Sequence, residues 1–351
     1  MSVKLILLAA IALVPILTFP SISLAQAPVV EQMRTPDGGI QPQAIIDSRN
    51  TLHLVYYVGD PGHGDVYYVH RDMNAGSSFS RPIRVNSDPS TAIAIGAIRG
   101  AQIAMGRNGR IYVVWNGVGP VGASGYARLY TAFTRLADDY ARFEPQRNLL
   151  PQGEQVDGGC SVAADRDGDV YVAWHNSPTG NGEAGGGAFL ARSADDGVTF
   201  STPQMASAPG DGQCGCCSMK AFADRTGTVY LLYRTAGQSV HRDTTLLVSH
   251  DRGITFRPTT VDRWTINACP MSMFSLANCA TGTLAAWESQ GQVSFASFNG
   301  SSRVLEAPAP GSGRRKYPVA VQNSAGDTLL AWVDGAGWGR GNSGVNDQTG
   351  D

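Results

Sequence analysis

The sequence predicts an all-β fold, a six-bladed β-propeller, on three observations. A hairpin pattern recurs six times, the aromatics that close the hairpins are evenly spaced, and no long amphipathic helix interrupts them. The first unit is Pro42–Tyr56 (PQAIIDSRNTLHLVY), the weakest copy but in step with the rest. Ala101–Trp115, Cys160–Trp174, Met219–Tyr233, Met273–Trp287 and Pro318–Trp332 follow. Each is an apolar strand, a polar turn that usually holds Gly, and an alternating strand ended by Trp or Tyr. Tyr56, Trp115, Trp174 and Tyr233 are 59 residues apart, and Trp287 and Trp332 follow after 54 and 45. Room remains in each unit for two further short strands, such as Gly187–Arg192 and then Gln204–Ala206. Four strands per unit favour closure into a ring, which removes exposed sheet edges, over an open stacked solenoid. After Trp332 the pattern fails. Residues 335–351 are Gly-rich and polar, so either Ala27–Arg34 completes the ring or the last blade is incomplete.

Composition agrees. The chain has 351 residues and 37.1 kDa, 42% hydrophobic and only 16% charged, against about 25% charged in an average domain. Glycine, at 42 residues, is well above the usual share of about 7%. That balance suits turn-rich β-structure and excludes a disordered chain. A net charge of −2 with no basic stripe argues against nucleic acid as a partner. Residues 1–25 read as a signal peptide: Lys4, an apolar run from Leu5 to Phe19, then Ser23-Leu24-Ala25 with small residues where cleavage is expected. A cut after Ala27 is the second choice. A membrane anchor is disfavoured because the run is short for a span of about 20 residues. The expectation is an exported protein, periplasmic or secreted, with 26–351 forming one propeller domain, no membrane span after cleavage, and a monomeric state.

Two further segments match S-x-D-x-G-x-T-F: Ser193–Phe200 and Ser249–Phe256. Asp and Gly make a tight turn there, the carboxylate taking backbone N–H groups and Gly permitting positive φ. Asp72–Phe79 and Asp138–Phe143 look like degraded copies. These turns resemble the Asp box, or bacterial neuraminidase repeat, of the sialidase superfamily, and the resemblance covers roughly residues 40–334. It implies a sialidase-like propeller and a glycan-directed function, either an exo-sialidase-type glycoside hydrolase or a noncatalytic relative that binds a glycan or a protein. It leaves function open, because such turns are structural.

Propeller geometry brings together the residues just before each inner strand and just after each closing aromatic. The first set holds Arg99, Asp157, Cys160, Cys214, Cys216, Cys217, Cys269, Met271 and Tyr317; the second holds Asn116, His175, Arg234, Glu288 and Asp334. A glycan or other small ligand at this funnel is the expected partner. Sialidases hold a substrate carboxylate with three arginines and use a Tyr nucleophile activated by Glu, with an Asp acid/base. By resemblance Arg99, Arg234 and Arg315 (or Arg314) take the arginine roles, Tyr317 the nucleophile and Glu288 its partner, with Asn116 and His175 as further substrate contacts. Arg99 lacks the family's following Ile-Pro. Residues 116–130 contain no Asp, which leaves Asp157 as the acid/base candidate.

The cysteines give a rival reading. Five of the six fall at inner-strand entrances, while Cys279 lies in a hairpin turn at the opposite face. Disulfide stapling is the ordinary explanation in an exported chain, but five thiols cannot all pair among themselves. Cys160, Cys214, Cys216, Cys217 and Cys269, with Met219, Met271 and His175, form a donor set suited to a soft ion, copper above all. The spacing matches no zinc finger or ribbon. The sialidase-like reading needs no cofactor. Asp165–Asp169 looks calcium-like but lacks the loop and Glu that such a site requires, and reads as a plain turn.

Overall fold

Six hairpins align side by side through their first strands. The structure, a computed structural model, describes residues 32–335 except 75, 77, 97–99, 122–126, 152–153, 155, 179–181, 301 and 309–313. The expected leader and the segment before Gln32 lie outside the described residues. The chain from Thr35 onward forms one unit. Blade one is β1 (Ile40–Ile46), β2 (Thr51–Asp60), β3 (His63–Asp72) and β4 (Ile83–Arg84). Blade two is β5 (Gln102–Met105), β6 (Ile111–Val121), β7 (Ala127–Arg135) and β8 (Arg147–Asn148). Blade three is β9 (Val156–Ala164), β10 (Val170–Asn176), β11 (Gly187–Ser193) and β12 (Gln204–Met205). Blade four is β13 (Lys220–Ala223), β14 (Val229–Arg234), β15 (Thr244–Ser249) and β16 (Arg257–Asp262). Blade five is β17 (Phe274–Cys279), β18 (Gly282–Ser289), β19 (Gln292–Asn299) and β20 (Ser302–Pro308). The last pair is β21 (Arg315–Gln322) and β22 (Thr328–Asp334).

The six-bladed expectation is corrected here: the all-β propeller has five four-stranded blades, and the sixth repeat gives a two-stranded sheet among the described residues. The segment that follows Trp332 is Gly-rich and polar with no alternating apolar run, and residues 27–31 and 336–351 lie outside the described residues. The hairpin leaves Val319 55% and Leu329 64% exposed. Every sheet is an antiparallel meander. Successive inner strands β1, β5, β9, β13, β17 and β21 pack in chain order. Three of them meet at one ammonium: Lys220 Nζ donates to Gln102 Oε1 at 2.7 Å and to Gln43 Oε1 at 3.3 Å. Burial lowers the pKa of Lys220 to about 8.

The closing aromatics anchor the blades. Trp115, Trp174, Trp287, Tyr56 and Tyr233 are fully buried. Each removes about 150–250 Å² from water, which at about 25 cal/mol per Å² is an upper bound of roughly 4–6 kcal/mol. A turn hydrogen bond contributes about 1 kcal/mol, so the aromatics dominate. Trp174 sits opposite Cys160. Blade five departs by one residue: Phe274, not Met273, faces Trp287, and only two residues separate the Cys279–Gly282 pair. Gly282 has φ +138, and a Cβ there would lie 2.2 Å from the Phe298 carbonyl oxygen. The hairpins of blades one, three and four and of the last pair use a wider turn in which one side chain, Asp47, Asp165, Asp224 or Asn323, caps the backbone. Asp165 Oδ1, for instance, accepts N–H bonds from residues 167, 168 and 169. That self-capping accounts for its resemblance to a calcium loop.

The two S-x-D-x-G-x-T-F turns are built alike and clamp neighbouring blades. Asp195 Oδ1 accepts the Thr199 amide at 2.8 Å, and Asp251 Oδ1 the Thr255 amide at 2.9 Å. In blade three, Asp196 Oδ1 accepts the Tyr112 hydroxyl at 2.6 Å and Oδ2 meets Arg110 Nε at 2.6 Å, both in blade two. In blade four, Arg252 pairs with Asp169 and Asp167 of blade three, each at 2.9 Å. Gly253 packs so closely that a Cβ would lie 2.9 Å from Leu190 Cδ2.

These turns titrate. The slight burial of Asp195 raises its pKa, but bonds from Thr199 and Ser193 outweigh that and hold it near 2. Bonds from Thr255 and Ser249 hold Asp251 lower still. A lowered native pKa gives stability that is present above the ordinary aspartate value of 3.8 and lost as pH falls through the native values. The double variant Asp195→Asn/Asp251→Asn is therefore expected to melt below wild type at pH 5, with the gap closing between about pH 4 and 2. Thermal denaturation followed across that range checks it.

Candidate functional site

The loops that enter β13 and β17 carry the sulfur. The first, Gln213–Ser218, is pinned at both ends: Gln213 N donates to Glu183 O at 2.8 Å, Cys214 N to Arg234 O at 3.0 Å, and Ser218 N to Ser272 O at 2.8 Å. Cys216 forms a disulfide with Cys269, with Cα atoms 6.2 Å apart. Cys214 Sγ lies 2.6 Å from Cys217 Sγ and 3.3 Å from Cys216 Sγ. Cys214 and Cys217 are fully buried; Cys216 and Cys269 are half-buried. Burial pushes Cys217 up, but the Cys214 bond, the Arg234 charge, the Ser272 backbone bond and Arg242 bring it down to about 7. Burial and the Cys217 bond hold Cys214 well above the ordinary thiol range.

Glu183, in a short 3-10 turn, binds this loop from below. Its Oε1 accepts the Gly215 amide at 2.8 Å, and its Oε2 pairs with Arg242 Nη1 at 2.7 Å. A carboxylate oxygen of Glu183 and the sulfurs of Cys216 and Cys269 lie within 4.8 Å of one another. On the other side, Gly158 of β9 has φ +108, and a Cβ there would stand 2.7 Å from Gly215 O and 2.8 Å from His175 Nδ1. Only glycine lets this strand pass between imidazole and loop. His175 is fully buried, neither ring nitrogen has a hydrogen-bond partner, and burial pushes it down to about 3, so the ring is neutral.

The other candidates divide. Asn116 is buried and donates to Gly158 O at 2.8 Å. Cys160 donates to Asn116 Oδ1 at 3.8 Å and packs with Val162 and Trp174; burial pushes it up to about 12. It is a core thiol, outside the sulfur group that holds Cys214, Cys216 and Cys217. Met219 is buried in the core between blades three and four. Met271 is half-buried with φ +51. Cys279 lies at its hairpin turn, 3.5 Å from Thr281 Oγ1. Arg99 and the side chain of Asp157 lie outside the described residues.

The arginines are held by separate partners. Arg234 donates from Nη1 to Arg242 O and from Nη2 to Glu288 O, with Trp264 and Phe274 against its guanidinium at 5.1 and 5.6 Å. Arg315 donates to Gln292 Oε1 at 3.4 Å and lies 5.5 Å from the Trp332 ring centre. Glu288 is buried, with Oε1 3.5 Å from Lys316 Nζ, which also donates to Pro270 O at 2.8 Å. Burial raises Glu288 and the charges of Lys316 and Arg234 lower it, leaving it at about 7. Tyr317, at φ +58, is raised by burial and then by the Glu288 charge. Asp334 is exposed at the end of β22. Sequence reasoning missed Glu183, Arg242 and Lys316, which lie in loops or next to a residue already singled out; no periodicity marks them.

No family model matches the chain and no curated protein matches it. Solved structures do. A protein of unknown function from Dyadobacter fermentans is 15% identical, with a TM-score of 0.55 over 84% of this chain and 90% of that one. The NanB sialidase of Streptococcus pneumoniae is 10% identical, with a TM-score of 0.55 over 86% and 67%. The intramolecular trans-sialidase of Ruminococcus gnavus is 8% identical, with a TM-score of 0.52 over 83% and 89%. The fold is thus a sialidase-like propeller. Among the described residues no helix is long and apolar enough to cross a membrane.

The buried Glu288–Lys316 pair gives a test of the site. Glu288 is neutral below its native pKa of about 7 and ionises above it only with Lys316 beside it. Lys316→Met is expected to cost least at pH 5, where the carboxyl is neutral in both proteins. The gap should widen above pH 7, towards the roughly 3–5 kcal/mol typical of a broken buried pair. Chemical denaturation at pH 5, 7 and 9 measures it.

Proposed function

We propose that this sialidase-like propeller is an exported protein whose funnel face carries a thiol centre for a soft cation, copper(I) by its chemistry. One observation carries the reading: the free, buried thiols of Cys214 and Cys217 stand together, their sulfurs 2.6 Å apart. Thiolates are soft donors, and copper(I) prefers them. With Cys216 bonded to Cys269, Cys214 and Cys217 remain as the thiol pair. Structural zinc takes four protein ligands, which two remaining thiols do not supply alone. The neutral, unpartnered imidazole of His175 against the same loop is a further donor candidate. Arg234 and Arg242 offset thiolate charge. A disulfide also fits an oxidising compartment.

A second reading is glycan-directed, catalytic or binding only. The observation that favours it is Tyr317 within electrostatic reach of the buried Glu288, the residue pair that sialidase chemistry uses. The guanidinium of Arg234, bound to two backbone carbonyls, is not presented to a ligand in this arrangement.

Two measurements separate the readings. Titrated with copper(I) against a chromophoric chelator, wild type is expected to retain the ion. Cys214→Ser/Cys217→Ser should bind more than about 100-fold more weakly, beyond the effect of losing an outer-shell partner. Equal retention by the double variant removes the thiol reading. A fluorogenic sialoside cleaved by wild type but not by Tyr317→Phe supports the glycosidase; no turnover by wild type removes it.

A further inference from the structure

We propose that the funnel cysteines carry a thiol–disulfide exchange activity, in which the Cys214/Cys217 dithiol and the Cys216–Cys269 disulfide interconvert. Three sulfurs stand in file: Cys217 at 2.6 Å from Cys214, and Cys214 at 3.3 Å from Cys216, whose sulfur is already bonded to Cys269. Exchange proceeds by attack of a thiolate on a disulfide sulfur, and no other thiol need be brought in. The two pairs also differ in access. Cys214 and Cys217 are fully buried, whereas Cys216 and Cys269 are half-buried. Exchange therefore moves an oxidised pair between a sealed position and one that an external dithiol reductant reaches.

The chemistry balances within the chain. Cys214 passes its proton to the Cys217 thiolate 2.6 Å away as it attacks Cys216 Sγ; the Cys214–Cys216 bond forms, the Cys216–Cys269 bond breaks, and the electron pair leaves on Cys269. Cys217, deprotonated again, then attacks Cys214 Sγ, and Cys216 leaves as thiolate. One disulfide is lost and one gained, with no oxidant consumed. One proton passes from the Cys214/Cys217 pair to the Cys216/Cys269 pair. The Glu183 carboxylate, within 4.8 Å of both receiving sulfurs, stands where it can relay that proton. The product disulfide closes a Cys-Gly-Cys-Cys segment through its ends, the two-residue spacing common to exchange motifs.

This inference does not rest on the copper reading, since exchange needs no metal. The sequence supplies a simple readout. Trypsin cuts after Arg192, Lys220, Arg263 and Arg303, so Cys214, Cys216 and Cys217 fall in peptide 193–220 and Cys269 in peptide 264–303. A Cys216–Cys269 bond links the two peptides, and a Cys214–Cys217 bond does not. Chelator-treated wild type is brought to one disulfide per chain, once by limiting reduction and once by limiting oxidation of the reduced protein. It is then acid-quenched, alkylated with a maleimide, digested and mapped. The expected result is both species, converging to one ratio from either start. A single species from both starts, whichever it is, overturns the proposal. Wild type is used throughout, so no variant can confuse the result by failing to fold, and copper retention measured separately stands or falls by itself.

Discussion

The structure depends on one cross-strand relation: a buried aromatic on the second strand of a hairpin packs across from the inner strand, Trp174 against Cys160 and Trp287 against Phe274. Trp174 opposite Cys160 is the pattern case. Strand side chains alternate faces, so once the aromatic is committed to the core, the position of its successor follows. That successor is Asn116, His175, Arg234 or Glu288 in blades two to five, and each is buried. The site is therefore a by-product of register. Packing of the aromatics fixes where the polar residues emerge before any of them makes a contact.

Much of this was legible from sequence because it is periodic. Six hairpins with even aromatic spacing all appear, and the Gly-rich tail after Trp332 already marked the sixth unit as deficient. The tighter turn of blade five was not legible. Ala280-Thr281 carries no Asn-Gly or Asp-Gly signature, and the one-residue change comes from Gly282, whose left-handed backbone and close carbonyl contact only the folded sheet reveals. At the site, position was readable but partnership was not. Arg234 and Glu288 are both buried, the guanidinium is held by backbone carbonyls, and Lys316 pairs with the carboxylate. Cys160, expected at a strand entrance, lies in the middle of β9, and its alternation turns it to the core of blades two and three. Glu183 and Arg242 come from irregular loops, where no period guides a reader.

Charge is scarce in this chain, and two of its ion pairs stand at the site. Glu183 with Arg242, and Glu288 with Lys316, are opposite-sign pairs around the sulfur loop. Buried ions are tolerated only when paired and hydrogen-bonded. The pairs hold the loop, while among the described residues neither ring nitrogen of the buried His175 has a hydrogen-bond partner. Its imidazole is wedged beside a glycine that no other residue could replace without displacing either the ring or the loop.

The clamps between blades have a direction. Asp196 and Gly197 of blade three reach back to Tyr112, Arg110 and Phe133 of blade two; Arg252 and Gly253 of blade four reach back to Asp169, Asp167, Tyr171 and Leu190 of blade three. In both cases the partner is the blade that emerges earlier from the ribosome. Chains are made from the N-terminus, and earlier parts fold first. Each new blade thus finds its docking surface already built, and its turn locks onto that surface as soon as it closes. Blades three and four are thus each locked, by the same kind of turn, onto the blade made just before them.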